Sequence, residues 1–446
     1  MKIKSATIYL FLYFFTLALL GSLLLQLPFF YKEGIEVPYI DSLFTTVSAI
    51  CVTGLSTLDM KIYSPEGFCL ILLLIEAGGL GLVSFFSAYL IFSAKKISLL
   101  NRNIIQDYFT EDSQVEVRGI LKRILFITLA FQGIGAVLLS VILKFSGEEH
   151  SLFYGIFLSI SAFCNAGFAP YSDNLVRFSN NIPLCLVIEI LIVAGGLGFF
   201  VISEIWSVLI TKKQKHLSLH TKLVLFISGI LIFGGAIFIL FAEKNNAFKN
   251  MNFIQSLNSA FFESVTFRTA GFETLPQKEF SPLTTFLSFF LMITGGSSGS
   301  MAGGLKTTSV FLVFYFVYKN SFDRGNAAIF KRDISTQTLE KAIKVCVRGI
   351  CFVFVIFVFL LISENLSIKS GQFSASDLLF ELISAFGTVG LSKGITANLS
   401  VFGKILIILS MFVGRTGITF ISINALSSKN NLNSLADYPE EDVLIG

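Results

Sequence analysis

The length of its apolar runs limits this chain more than any other feature. Residues 6–30, 68–92, 124–143, 183–210, 222–242, 281–318 (interrupted), 349–363 and 401–424 are dominated by Leu, Ile, Val and Phe and carry few charges. Runs of about 18 or more such residues cross the hydrocarbon core of a bilayer as helices. In lipid no water can satisfy a free N–H or C=O, so wherever this chain meets the membrane its backbone must be helical. Of the 446 residues, 54% are hydrophobic and only 14% charged, too little polar surface for a soluble chain. The opening Met-Lys-Ile-Lys and the apolar run behind it have the outline of a secretory signal, but the run is long and lacks a small-residue cleavage site.

Charge placement gives the orientation. The linker 93–124 holds Lys95, Lys96, Arg102, Arg118, Lys122 and Arg123. The linker 211–222 holds Lys212, Lys213, Lys215 and Lys222 with no acid, and 319–348 holds Lys319, Arg324, Lys331, Arg332, Lys341, Lys344 and Arg348. The alternating linkers 31–40, 145–151, 243–251 and 364–375 are poor in Lys and Arg. The positive-inside rule therefore puts the three basic linkers and both termini in the cytoplasm. Topology accounts for the formal charge of +4 without a nucleic-acid partner. The cysteines (Cys51, Cys69, Cys164, Cys185, Cys346, Cys351) form no CxxC pair, and His150, His216 and His220 lie outside the apolar spans. No metal cluster, disulfide framework, nucleophile–base pair or phosphate-binding glycine loop is visible, which argues against an enzyme.

Between the long runs lies a fourfold repeat. Four shorter segments end in a glycine motif: SAICVTGL (48–55), SAFCNAGF (161–168), SVTFRTAGF (264–272) and SAFGTVGL (384–391). Gly54, Gly167, Gly271 and Gly390 recur at a domain-like spacing of roughly 110 residues. Thirteen positions before them stand Asp41, Tyr154, Asn258 and Asp377. Three of these are good N-cap residues, predicting short helices of about 18 Å, too short to cross a bilayer. About 24 to 29 residues after each motif come Gly78, Gly79 and Gly81; Gly195, Gly196 and Gly198; Gly295 and Gly296; and Gly414 and Gly417. Each unit thus reads as long helix, re-entrant helix, glycine turn, long helix. Non-helical backbone at membrane depth survives only when buried in protein or lining a cavity, so four such turns on a common axis make a pore.

The turn chemistry suits potassium. A potassium filter replaces the ion's hydration shell with backbone carbonyls, and glycine permits the backbone angles this needs. Val52–Thr53–Gly54 and Thr388–Val389–Gly390 are close to a TVG-type filter; Asn165–Ala166–Gly167 and Thr269–Ala270–Gly271 are looser versions. Each short helix aims its partially negative C-terminal end at the turn, favouring a cation without an acidic side chain. The bland alternative, glycines that merely let membrane helices pack closely, does not account for four matched positions.

Residues 294–308, TGGSSGSMAGGLKTT, place five glycines and a lysine inside the third long segment. Each interior glycine costs a helix about 1 kcal/mol relative to Ala. The stretch therefore reads as an irregular loop below the turns, a gate formed by Gly295, Gly296, Ser297, Ser298, Gly299, Ser300, Gly303, Gly304 and Lys306. Arg415 is an intramembrane charge. Facing the path, it would repel a cation about 8 Å away by about 2 kcal/mol at an effective dielectric of about 20. Its other reading is a buried pair with Glu76 or Glu189. Lys306 either adds to that barrier or meets phosphates at the cytoplasmic surface. Arg268 is expected to brace Glu263, and Glu381 to serve structure.

With SAFCNAGF, RTAGF, SAFGTVGLS, GGSSGSMAGGLKT and GRTGITF on the page, the chain resembles the Trk/Ktr/HKT family of potassium transporters over nearly its whole length. It starts directly with the first repeat, without the extra N-terminal helix pair of the Trk branch, and is most similar to the KtrB-type membrane subunits of the Ktr branch. The resemblance implies a homodimer with one pore per subunit, in a bacterial cytoplasmic membrane. It also implies a cytosolic KtrA-like ring that binds ATP/ADP or NAD(H), and sodium-stimulated, symporter-like uptake. A first-filter glycine goes with potassium selectivity in that family, its gating loop corresponds to 294–308, and its obstructing arginine to Arg415. Met301 departs from the small polar residue common in related loops.

The expectation is then an all-α polytopic protein of eight transmembrane helices, built as repeats 1–94, 95–214, 215–320 and 321–428 with a cytoplasmic tail at 429–446. Its ions would be potassium as cargo and sodium as a second ion, with no organic cofactor in this chain. The tail, ADYPEEDVLIG, reads as disordered or as a contact for a partner. The alternative is a sodium-permeable or proton-coupled cation carrier, for which inverted repeats and intramembrane acids would be expected; here the repeats are parallel and the turns carry no acid.

Overall fold

The computed structural model describes residues 3–81, 117–209, 212, 216–319, 327–330 and 332–417. The basic positions Lys95, Lys96, Arg102, Lys213, Lys215, Arg324 and Lys331, the far ends of the runs 68–92 and 401–424, and the tail 429–446 lie outside the described residues.

One unit recurs through the chain. In the first, helix α1 (Ile3–Leu25) is followed by short α2 (Tyr39–Ile50) and by α3 (Pro65–Gly79). In the second, α4 (Val117–Phe145) leads to α5 (Ser151–Phe163), α6 (Ile182–Leu197) and α7 (Phe199–Leu209). In the third, α8 (Leu219–Ala242) leads to α9 (Phe253–Thr266), α10 (Pro282–Ile293) and α11 (Thr307–Lys319). In the fourth, α12 (Thr336–Ser363) leads through the single turn α13 (Asn365–Lys369) to α14 (Ala375–Gly387) and α15 (Val401–Thr416). A small antiparallel hairpin, β1 (Ala327–Ile329) with β2 (Arg332–Ile334), is the one pair of strands among the described residues of this otherwise helical chain.

Arg123–Phe145, Leu219–Ala242 and Thr336–Ser363 are each long and apolar enough to cross a membrane. Their outer faces stay apolar: Phe126, Leu129, Ile134 and Val137 are each about two-thirds exposed. Such a surface needs lipid around it. The short helices are the interior. Nine of the twelve residues of α2 are buried, the polar Ser42, Thr45, Thr46 and Ser48 among them.

Two expectations need correction. The residues thirteen positions before the glycines are not N-caps. Asp41 lies in the first turn of α2, Tyr154 and Asn258 lie inside α5 and α9, and Asp377 is the third residue of α14. The flanking residues are Pro38, His150, Asn252 and Ser374, three to six positions earlier. The matched spacing therefore records packing register, as in Asp41, whose carboxylate pairs with Lys404 of α15 at 2.6 Å. Second, the run 183–210 is not one helix. It bends by 101° between α6 and α7, at Gly198, whose φ of +92° lies outside any right-handed helix.

The repeat also shows in how each second long helix begins. Ser64, Asn181, Ser281 and Ser400 cap α3, α6, α10 and α15 by accepting from Gly67 N, Leu184 N, Thr284 N and Gly403 N. Each cap is also bonded back to the chain that immediately follows its own first helix. Ser64 Oγ donates to Phe29 O (3.0 Å), Asn181 Nδ2 to Ser146 Oγ (3.0 Å), and the hydroxyls of Ser281 and Ser400 to the carboxylates of Glu243 and Glu364. The two long helices of each unit are thus tied at one end.

Burial pushes the Glu243 carboxyl up, but hydrogen bonds from Ser281, Thr284 and Asn246 outweigh it and hold it below its ordinary 4.5. Its contribution to stability is complete above that value and is lost as pH falls through the depressed one. Ser281→Ala is expected to destabilise the protein in detergent by about 1–3 kcal/mol at neutral pH. The difference from the parent should shrink as pH falls below 4.5 and through the depressed carboxyl value. Thermal melts in which it stays constant until acid unfolding would rule out an ionised clasp.

Candidate functional site

The four glycine turns share one backbone path. Each short helix is followed by a residue of positive φ: Val52 at 56°, Asn165 at 60°, Thr269 at 64° and Thr388 at 51°. Two positions on, the glycines take φ of 99°, 69°, 77° and 99° in chain order. Three of the four leading residues are β-branched, for which this region is strained by about 1–3 kcal/mol each, a cost concentrated at functional sites. The middle residue of each turn is tied back to its own short helix. Thr53 N donates to Ser48 O, Ala166 N to Ser161 O and Val389 N to Ser384 O, all at 2.8 Å, and Ala270 N to Thr266 O at 3.0 Å. In each turn, positive φ at the first and third residues flanks a middle residue whose amide is anchored to the short helix.

The turns meet in a closed ring. A Cβ built on Gly54 would lie 2.5 Å from Ala166 O, and one on Gly167 2.8 Å from Ala270 O. On Gly271 it would lie 2.2 Å from Val389 O, and on Gly390 1.9 Å from Thr53 O. Unit one therefore touches two, two touches three, three touches four, and four returns to one. A Cβ cannot approach a carbonyl so closely, so any side chain at these positions forces the neighbouring turn to shift. The sequence-predicted residues Val52, Thr53, Gly54, Asn165, Ala166, Gly167, Thr269, Ala270, Gly271, Thr388, Val389 and Gly390 all lie in this ring.

Residues 294–306 are non-helical, as expected, and are bonded to two other units, the second and the fourth. Gly295 N donates to Leu305 O (2.8 Å) and Thr307 N to Gly296 O (3.2 Å), closing the loop on itself. Ser297 N and Met301 N donate to Gly196 O and Gly195 O, while Phe199 N of α7 donates to Gly299 O (3.1 Å). These bonds consume the backbone groups freed by the α6–α7 break. Ser300 Oγ folds back on Ser297 O (2.7 Å). Gly198 lies against Ser298 O. Gly304 N reaches Gly414 O (3.2 Å), and Gly303 N donates to the hydroxyl of Thr388 in the fourth turn (3.1 Å). The loop therefore lies directly against the ring.

Arg415 fastens the same loop. Its guanidinium donates to the carbonyls of Gly78 (2.7 Å) and Gly79 (3.1 Å) at the end of α3, and to Met301 O. The alternative of a carboxylate partner is corrected: Glu76 accepts instead from Gln132 (3.0 Å) and Cys164 (3.4 Å), and the buried Glu189 leaves Oε1 without a partner among the described residues. The carbonyl ends of broken helices carry partial negative charge, so they serve as its counter-charge. Lys306 turns inward to Ala302 O (2.7 Å), away from a surface phosphate. Arg268 donates to Ser228 Oγ (3.1 Å) rather than bracing Glu263, which accepts from Thr274 and Gln277 instead. Glu381 accepts from Ser392 and Thr396, so both glutamates stand behind their turns and hold the chain that follows.

The serines behind the turns escaped the sequence reading. Ser48 Oγ and Ser384 Oγ accept from Gly54 N and Gly390 N (both 3.1 Å), whereas Ser161 and Thr266 donate to Phe168 O and Phe272 O. The recurring Ser-Ala pair six residues before three of the glycines was the available signal.

A model of the TrkH family, described as cation transport protein, matches residues 2–433. The chain is 36% identical to the potassium/sodium uptake protein NtpJ of Enterococcus hirae, over 97% of this chain and 95% of that one. It is 33% identical to the Ktr system potassium uptake protein B of Bacillus subtilis, again over 97% and 95%. The crystal structure of the potassium transporter TrkH from Vibrio parahaemolyticus shares the fold. Its TM-score is 0.72 over 95% of this chain and 85% of that one, at 16% identity.

Arg415→Ala removes the donor from three buried carbonyls. Charge-assisted bonds are worth about 1–3 kcal/mol each. Deuterium exchange at 297–303 is expected to speed up at least about tenfold in this variant; unchanged exchange would mean that the loop is held without the guanidinium.

Proposed function

This chain belongs to the TrkH family of cation transport proteins, and is a multi-pass membrane transporter rather than an enzyme; from that premise we propose that it carries potassium selectively into the cell through the ring of four glycine turns. The observation that carries this reading is the ring's closure, with carbonyls of Thr53, Ala166, Ala270 and Val389 each set against a neighbouring glycine. Carbonyl rings of this kind replace the hydration shell of potassium. The short helices direct the negative ends of their dipoles at the ring, which favours a cation and disfavours an anion.

In this reading the four units, 1–94, 95–214, 215–320 and 321–428, form one pore of eight transmembrane helices. Residues 294–308 gate it from the cytoplasmic side, with Arg415 as both latch and electrostatic barrier. Lys306 adds a second positive charge beneath the ring. The relatives named for the Ktr system support a partner subunit. The partner we propose is a cytosolic KtrA-like ring that binds ATP/ADP or NAD(H) and acts on a homodimer of this chain, in the bacterial cytoplasmic membrane with both termini inside. Sodium is the second ion, as a stimulator of uptake.

Rubidium-tracer uptake into liposomes carrying the purified chain, with potassium or sodium as competitor, tests the proposal. Potassium is expected to block uptake, and sodium not to reduce it. Equal competition by sodium would favour a sodium-permeable carrier. Gly54→Ser, which sets a side chain against Ala166 O, is expected to let sodium compete; unchanged selectivity would remove the first turn from the filter. Arg415→Ala, or deletion within 297–303, is expected to raise flux, and no rise would remove the loop as gate.

A further inference from the structure

The ring is not equivalent in its four units, and the difference lies on the outer side of the second turn. After Gly167 the chain runs through Phe168–Asp173 to Asn174, which takes a φ of +51°. Its Nδ2 donates to Gly167 O at 3.1 Å. Its Oδ1 accepts from Glu273 N, two residues beyond Gly271 in the third unit, at 3.2 Å. Leu175 N then donates to Glu273 O at 3.0 Å. Both partners of the amide are backbone groups, one able only to accept and the other only to donate, so the orientation of the amide is fixed by chemistry. Among the described residues Asn174 is the sole side chain that donates to the carbonyl of any of the four ring glycines. The positions seven residues after the other glycines hold Lys61, Lys278 and Ala397, none of which carries an amide.

We propose that Asn174 is a positioning residue that sets the cation specificity of the ring. This rests on the reading of the glycine turns as a filter. A carbonyl free to tilt can close around a smaller ion. Bonded to Asn174, Gly167 O keeps one lone pair engaged away from the axis and is held back. The same side chain fastens the second turn to the chain leaving the third, so two of the four ring segments share one clamp. The loop that carries Asn174 is itself braced: Arg177 lies 4.6 Å over the Tyr171 ring and pairs with Asp173 at 2.7 Å. Loss of the amide donor releases Gly167 O toward the axis and favours sodium over potassium.

The test uses the full chain in liposomes, reading the ratio of sodium to potassium concentrations that halve rubidium uptake. Asn174→Asp keeps the shape, the tolerance of positive φ and the acceptor for Glu273 N, and replaces the donor to Gly167 O with a charged acceptor oxygen that repels it. Asn174→Gly removes the whole side chain without adding charge and fits the backbone. One lost hydrogen bond corresponds to about a fivefold shift of the ratio toward sodium, expected in both variants. The charge added by Asp attracts both ions alike and leaves the ratio unmoved. Gly54→Ser runs beside them. If Gly54→Ser shifts the ratio while the Asn174 variants keep the parent's, or lower uptake of both ions in proportion, Asn174 only supports the mouth and the inference is overturned. If Gly54→Ser also leaves the ratio unchanged, the filter reading itself fails.

Discussion

The contact of each ring glycine with the carbonyl before its neighbour's glycine leaves no room for a side chain. In turn order the gaps a Cβ would meet are 2.5, 2.8, 2.2 and 1.9 Å, the last against Thr53 O, which closes the circle. The units approach through backbone alone. That requirement fixes the short helices, which must stop at membrane depth and deliver an irregular chain to the axis. It also fixes the buried Ser48, Ser161, Thr266 and Ser384 behind the turns, since backbone groups away from water need partners. The long helices, with their apolar outer faces, keep lipid away from this irregular backbone.

The same accounting explains the loop 294–306 and the broken helix ends around it. Breaking the second long segment at Gly198 and at 294–306 frees amides and carbonyls that neither water nor lipid can satisfy. They satisfy one another: Gly195 O, Gly196 O and Phe199 N bond to the loop, and Gly414 O receives Gly304 N. Arg415 covers the carbonyl end of α3 and the loop at once. A buried guanidinium is costly unless its donors are used, and here two of its nitrogens are.

Fourfold likeness therefore holds for the ring and lapses around it. Glu263 and Glu381 brace the exits of the third and fourth turns, while Tyr63 bonds to Thr45 in the first and Asn174 serves the second. The four turns follow one backbone path but are held by different chemistry, so their tolerance of displacement differs from unit to unit.

The sequence by itself determined the solvent, the repeat and the ring positions. Apolar length dictates helices in lipid, and a glycine at four matched places dictates four turns, because both signals are local and steric. It misassigned the caps at Asp41, Tyr154, Asn258 and Asp377, because a residue's type does not reveal whether its spacing serves a helix end or a packing register. The tertiary structure alone decided the partners of Arg415, Arg268 and Lys306. Whether a buried cation meets a carboxylate or a row of carbonyls depends on which broken helix ends arrive beside it, over separations of more than 300 residues for Arg415 and Gly78. It alone decided that Asn174 reaches Gly167 and Glu273, since a hydrogen bond between two units exists only once the ring has closed.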